Sequence, residues 1–129
     1  MLAIIVCGGR TFDDAKALFA ALDRIQAAYP NMRVLQGEAR GADSLAAKWA
    51  AARGVPCDAF PARWHSEGRS AGLKRNLRML AHLMTLKQHG YKIGVVAFPG
   101  GRGTQHMIES AESAGVKVHQ PLASAADAA

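Results

Sequence analysis

The 129 residues, half of them apolar and a fifth charged, have the composition of a folded globular chain and suffice for one domain to bury a core without staples. That balance excludes a disordered or low-complexity chain. A net charge of +6 and an isoelectric point near 9.8 suit nucleic acid, a small anionic ligand or solubility alone, and the absence of a long Lys/Arg run excludes a simple basic arm.

In chain order, Leu2-Ala3-Ile4-Ile5-Val6-Cys7 is an unbroken apolar run, the mark of a strand covered on both faces, and it stops at Gly8-Gly9. Thr11-Phe12-Asp13-Asp14 has the form of a capping box, so a helix is expected from there, with Leu18, Phe19, Leu22 and Ile25 on one face. Met32 to Gln36 reads as a second strand ended by Gly37. A helix from about Asp43 to Arg53 follows, with Asp43 or Ser44 as cap and Gly54 as its stop. Val55 to Phe60 reads as a third strand and Ala62 to Ser70 as a polar, irregular stretch. A long helix from Ala71 to His89 carries Leu73, Leu77, Leu80, Leu83 and Met84. Ile93 to Phe98 reads as a fourth strand, Thr104 to Ala114 as a helix stopped by Gly115, and Val116 to Gln120 as the last strand.

Strands alternating with helices imply a parallel sheet with helices on both faces, a Rossmann-like three-layer α/β/α fold. The expected strand order is 3-2-1-4-5, with a switch point between strands one and four. Residues 1–122 are read as a single domain, and the Ala-rich tail from Ala123 to Ala129 is expected to fray. Cys7 and Cys57 lie in separate apolar runs with no metal-ligand spacing, so both are expected to be small buried hydrophobes, and no metal or cofactor is called for. Without a basic leader, and with a first apolar run too short for a signal peptide or membrane span, the chain is expected in the cytoplasm with no membrane partner.

Three loops leave strands at the carboxyl edge of such a sheet, where ligands bind, and each combines glycine with arginine: Gly8-Gly9-Arg10, then Gly37-Glu38-Ala39-Arg40-Gly41-Ala42-Asp43, then Pro99-Gly100-Gly101-Arg102-Gly103-Thr104. Glycine lets backbone N–H groups approach a ligand closely, and a helix start after such a loop holds phosphate. Each arginine adds charge-assisted bonds of about 1.5–3 kcal/mol. Trp64, with Arg63, Arg69, Lys74 and Arg75 around it, either offers a ring for a base among cations for phosphate or packs into the core, as Trp49 is expected to, and Asn76 offers an amide for a ribose or base edge. Glu38 is the first candidate for acid–base work, with pairing to Arg40 as its alternative role. Asp43 reads more readily as a cap, while His106, in the first turn of the last helix, faces either a phosphate or water.

Phe98-Pro99-Gly100-Gly101-Arg102-Gly103-Thr104 resembles the PGGxGT signature of the SLOG superfamily, which includes the Lonely Guy phosphoribohydrolases and DNA-processing protein A. Together with Val6-Cys7-Gly8-Gly9-Arg10, Gly37 to Asp43 and Ala71-Gly72-Leu73-Lys74-Arg75-Asn76, it resembles the YspA-like branch over about Ile4 to His119. The resemblance implies a Rossmann-like fold, a site for a nucleotide or its derivative, and a homo-oligomer, dimer or tetramer, for which the apolar face of the helix from Ala71 to His89 is the expected interface. In the Lonely Guy enzymes the signature continues as PGGxGTxxE, and that Glu serves cleavage of an N-glycosidic bond. Its place here is Met107, and the nearest carboxylate, Glu109, lies about 200° around the helix.

The leading expectation is therefore a protein that binds a phosphorylated nucleotide-type molecule, a nucleoside monophosphate or an NAD- or ADP-ribose-derived messenger, as sensor or sequestering protein, with binding favoured over turnover. One alternative is a phosphoribohydrolase using Glu38 or Glu109. Another is single-stranded nucleic-acid binding, against which Arg24, Arg33 and Lys48 are scattered rather than striped.

Overall fold

The structure is a computed structural model that describes residues 1–123. Five strands, β1 (Leu2–Cys7), β2 (Met32–Gln36), β3 (Cys57–Ala59), β4 (Lys92–Ala97) and β5 (Val118–His119), form one parallel sheet in the order β3-β2-β1-β4-β5. The Rossmann-like α/β architecture and the 3-2-1-4-5 order are as the residue pattern implies. β1 is central, with Leu2 beside Met32 on one flank and Lys92 on the other. Every β1 residue is buried because helices cover both faces.

Alternation along β1 sends successive side chains to opposite layers. Leu2, Ile4 and Val6 join Leu18, Leu22 and Trp49 under α1 (Ala15–Ala28) and α2 (Ala42–Arg53). Ala3, Ile5 and Cys7 join Met79, Leu83 and Met107 under α4 (Ala71–Gln88) and α5 (Arg102–Ser113). Trp49 is wholly buried and donates its indole N–H to Asp23 at 2.8 Å. The crossovers change face between β1 and β4, which opens the crevice at the strands' carboxyl ends.

Several boundaries differ from expectation, each for a local reason. The capping box at Thr11 does not form. α1 starts at Ala15, capped by Asp14, whose carboxylate accepts the Ala17 N–H at 3.0 Å, while Phe12 turns inward and its ring lies 5.3 Å from that of Phe98. α2 begins at Ala42 with Gly41 as its cap residue, with no side-chain cap from Asp43 or Ser44. α5 begins two residues before Thr104, at Arg102 with Gly101 as its cap residue, so Arg102 and Gly103 belong to its first turn. The stretch taken as irregular holds a short helix, α3 (Trp64–Glu67), and a 3₁₀ turn at Gly68–Ser70. β3 and β5 are shorter than the apolar runs around them because each has a partner on one side only.

Cys57, expected inside, is exposed on the edge strand, whereas Cys7 is buried. Leu73 and Leu77 also depart from expectation: α4 buries Leu80 and Leu83 but leaves these two 43% and 51% exposed. Among the described residues no helix is long and apolar enough to cross a membrane. The Ala-rich tail lies, from residue 124 on, outside the described residues.

Candidate functional site

The three loops interlock at the carboxyl edge through glycine. The Gly9 N–H donates to Pro99 O at 2.8 Å, and Gly9 O accepts from Ala42 N at 3.2 Å, so the first loop is bonded to both of the others. Gly41 has φ +78°, and a side chain there would strike Gly9 and Arg10 backbone. At Gly100 a Cβ would lie 2.7 Å from Gly9 N. Gly41, Pro99 and Gly100 thus join the loops rather than line a hollow.

Two hollows open at this edge. The larger, about 420 Å³, is lined by Gly8, Gly9, Arg10, Asp43, Trp64, Arg75, Asn76, Gly101, Arg102, Gly103 and Thr104 among others. The smaller, about 340 Å³, is bordered by Arg10, Gly37, Glu38, Arg40, Trp64 and Arg75. Between them Arg10 rests on the Trp64 ring, 5.5 Å from its centroid. Trp64 is 51% exposed, so it is a wall of the cleft and not part of the core. Glu109 lines neither hollow. It accepts a bond from Gln105 at 3.1 Å on the solvent side of α5, while Met107 is fully buried.

Sequence reasoning missed the apolar part of the lining, Cys7 and Met79 at depth and Leu73 at the rim. A signal was present: Gly72, Arg75, Asn76 and Met79 have the spacing of one helix face, and Cys7 directly precedes the first glycine loop.

The helix starts at the cleft are left open. No side chain caps α2 or α5, and the first backbone bond within α5 runs from Gln105 N to Gly101 O, which leaves the N–H groups of Arg102, Gly103 and Thr104 without partners in the helix. Thr104 is buried in that turn, against Gly100. Among the described residues, Arg10, Arg40, Arg69 and Arg102 have no carboxylate partner, the three ion pairs being Arg33–Asp58, Arg53–Asp23 and Arg78–Glu67. Glu38 and Arg40 do not pair.

The middle loop is organised from within. Asp43 does not cap α2. Its Oδ2 turns back to accept the N–H groups of Gly37 at 3.1 Å and Ala39 at 3.3 Å. Glu38 sits in the left-handed region at φ 58°, its N–H donating to Gln36 Oε1 at 2.6 Å, a conformation that costs a non-glycine residue about 1 kcal/mol or more. Arg75 donates to Gly37 O and, through Nε, to Asn76 Oδ1 at 3.0 Å. The Asn76 amide donates to Gly103 O at 3.1 Å and lies 3.3 Å from His106 Nδ1. Asn76 therefore ties Arg75 to the start of α5, and His106 meets that amide rather than the hollow.

Burial pushes the Asp43 carboxyl up to about 6, against the opposing pull of the Ala39 and Gly37 N–H groups and of Arg75 and Arg10. Burial, with the Asp43 charge adding, pushes the Cys7 thiol up to about 12, so it is protonated at neutral pH and no nucleophile. Burial also holds the Arg75 guanidinium below its ordinary value, with Asp43 opposing. Among the described residues no cluster of three His, Cys, Asp or Glu side chains offers a metal site.

An open parallel sheet with glycine-jointed loops and uncapped helix starts at its switch point defines the class, and the comparisons agree with it. Residues 2–66 match the family described as YspA, cpYpsA-related SLOG, and the chain belongs to that family. It is also 31% identical over 126 residues to the Gene 61 protein of Mycobacterium phage D29, a match that covers 92% of this chain and 94% of the phage protein. The family suggests a nucleotide-related ligand-binding or related function.

Proposed function

We propose that the cleft binds a phosphorylated nucleotide-type molecule, a nucleoside monophosphate or an NAD- or ADP-ribose-derived messenger, and that the protein senses or sequesters it. The observation that carries this reading is the convergence, around one hollow, of glycine-jointed loops, an uncapped helix start and arginines without carboxylate partners. The phosphate lies on the Arg102, Gly103 and Thr104 N–H groups, with the Arg102 guanidinium beside it. The base stacks on the exposed Trp64 ring, and Arg10 leaves the ring for the phosphate. Charge-assisted bonds of about 1.5–3 kcal/mol and stacking of about 1–3 kcal/mol reach, in a few contacts, the roughly 8 kcal/mol of micromolar binding. Leu73, at the rim of the hollow, and Leu77, one turn further along α4, are both exposed and are the surface for a second copy in a homo-oligomer.

Turnover has less support: Glu109 is bonded to Gln105 away from the cleft, and Glu38 borders only the smaller hollow. Native mass spectrometry after incubation with nucleoside monophosphates, NAD, ADP-ribose and its cyclic forms tests the reading. Stoichiometric intact ligand supports it. Free base or ribose phosphate makes the protein a glycosidase, and neither binding nor cleavage removes the nucleotide reading in favour of single-stranded nucleic acid.

A further inference from the structure

Asp43 is the one carboxylate among the residues lining the larger hollow, and it is only 6% exposed. Its two oxygens have different surroundings. Oδ2 holds the middle loop through the Gly37 and Ala39 N–H groups. Oδ1 accepts no hydrogen bond, and Asp43 enters none of the three ion pairs among the described residues. Since no fully buried side-chain oxygen among the described residues lacks a partner, Oδ1 keeps some accessible surface, and the hollow is the space that Asp43 lines. Arg75 and Arg10 act on it through space without closing on it. A nearly buried carboxylate oxygen with an open valence costs free energy until a donor meets it.

An ionised carboxylate only accepts, so its complement is an N–H or O–H of the ligand. Phosphate is excluded, being itself anionic and rich in acceptors. The base is drawn to Trp64, half exposed at the mouth, whereas Asp43 lies deep beside Gly37 and Arg75. The ribose, which joins phosphate to base, carries hydroxyl donors. Asn76, the other buried side chain suited to a ribose, already bonds Arg75, Gly103 and His106.

We infer that Asp43 Oδ1 accepts a hydrogen bond from a ribose hydroxyl of the bound nucleotide, making the site selective for ribonucleotides over deoxyribonucleotides. This rests on the nucleotide reading above. A site built to bond a hydroxyl rejects the analogue lacking it, because the buried acceptor is then left unpaired.

The test is calorimetric titration of wild type and Asp43→Asn with the four ribonucleoside 5′-monophosphates, their 2′-deoxy and 3′-deoxy counterparts, and inorganic phosphate. Asparagine keeps an oxygen for the Gly37 and Ala39 N–H groups while removing the charged acceptor. Wild type is expected to bind a ribonucleotide about tenfold or more tighter than one deoxy counterpart. In Asp43→Asn that margin shrinks to within about threefold, while deoxynucleotide and phosphate affinity, freed of a like charge, holds or rises. Equal affinity of wild type for ribo and deoxy forms overturns the inference while the nucleotide reading stands. An equal loss on every ligand in Asp43→Asn makes Asp43 a loop-positioning residue and overturns it too. If wild type binds no nucleotide, both readings fall. The wild-type comparison needs no variant, so it decides even where Asp43→Asn does not fold.

Discussion

The two ends of the sheet each carry a hollow with arginines in its wall, about 420 Å³ at the carboxyl end and about 450 Å³ at the amino end. At the amino end Arg33 is paired with Asp58 and Arg53 with Asp23, both at 2.9 Å, so the wall is neutralised within the protein. At the carboxyl end Arg10, Arg69 and Arg102 have no such partner among the described residues. There the backbone also differs: helices begin without side-chain caps, and glycines let three loops touch. Size is similar at both ends. What separates a candidate site from a surface dimple is electrostatic and hydrogen-bonding capacity left open.

That contrast can be broken most severely at Gly41. Gly41→Ala drives a methyl into Gly9 and Arg10 at φ +78°, and is expected to abolish nucleotide binding and to lower stability by about 2 kcal/mol or more. Titration and thermal unfolding check both, and a variant that binds normally would mean the loop contact is dispensable. Arg102→Ala is expected to weaken a phosphorylated ligand by about tenfold or more with the fold intact, and Arg40→Ala, which borders only the smaller hollow, by less. Unchanged calorimetric affinity in both removes the site. Trp64→Ala should cost about fivefold to tenfold through lost stacking, with little change in melting temperature because the ring is half exposed. At the opposite end Arg33→Ala is expected to leave ligand affinity within about twofold and to cost at most about 1 kcal/mol of stability. A large binding loss there would erase the distinction between the two ends.

Asp43 sharpens the same comparison through pH. Its carboxyl is raised from 3.8 to about 6, so the native state holds this proton more tightly than the unfolded chain. Stability from this group is greatest at low pH and falls as pH rises from about 4 through 6, a loss on the order of 2–3 kcal/mol in full above that range. The facing groups are Arg75 from α4, Arg10 from the first loop and Cys7 from β1. Asp43→Asn should therefore unfold at a higher temperature than wild type at pH 7.5 and lose that advantage near pH 4. A lower melting temperature at pH 7.5 would make the carboxylate a structural stabiliser instead of a group held for a ligand.

The sheet and its order were legible because burial on both faces leaves an unbroken apolar run at Leu2 to Cys7, and chain connectivity permits few arrangements of five parallel strands. The three loops were legible because only glycine tolerates such close backbone contact. Helix starts were not, since Thr11, Asp43 and Thr104 all look like caps, and a cap is decided by where the preceding loop is pulled. Nor could the pattern say that Leu73 and Trp64 stay exposed, or that the Cys57 side chain on its edge strand does.

By itself the sequence determined the parallel α/β frame, the edge where loops of glycine and arginine gather, and the family, because periodicity and backbone tolerance are written residue by residue. Only the tertiary structure decided which arginines stay unpaired, that Asn76 is already bonded, and that one oxygen of Asp43 is left without a hydrogen bond among the described residues. Those are properties of pairs brought together from distant parts of the chain, as Gly37 and Arg75 are, and no local pattern carries them.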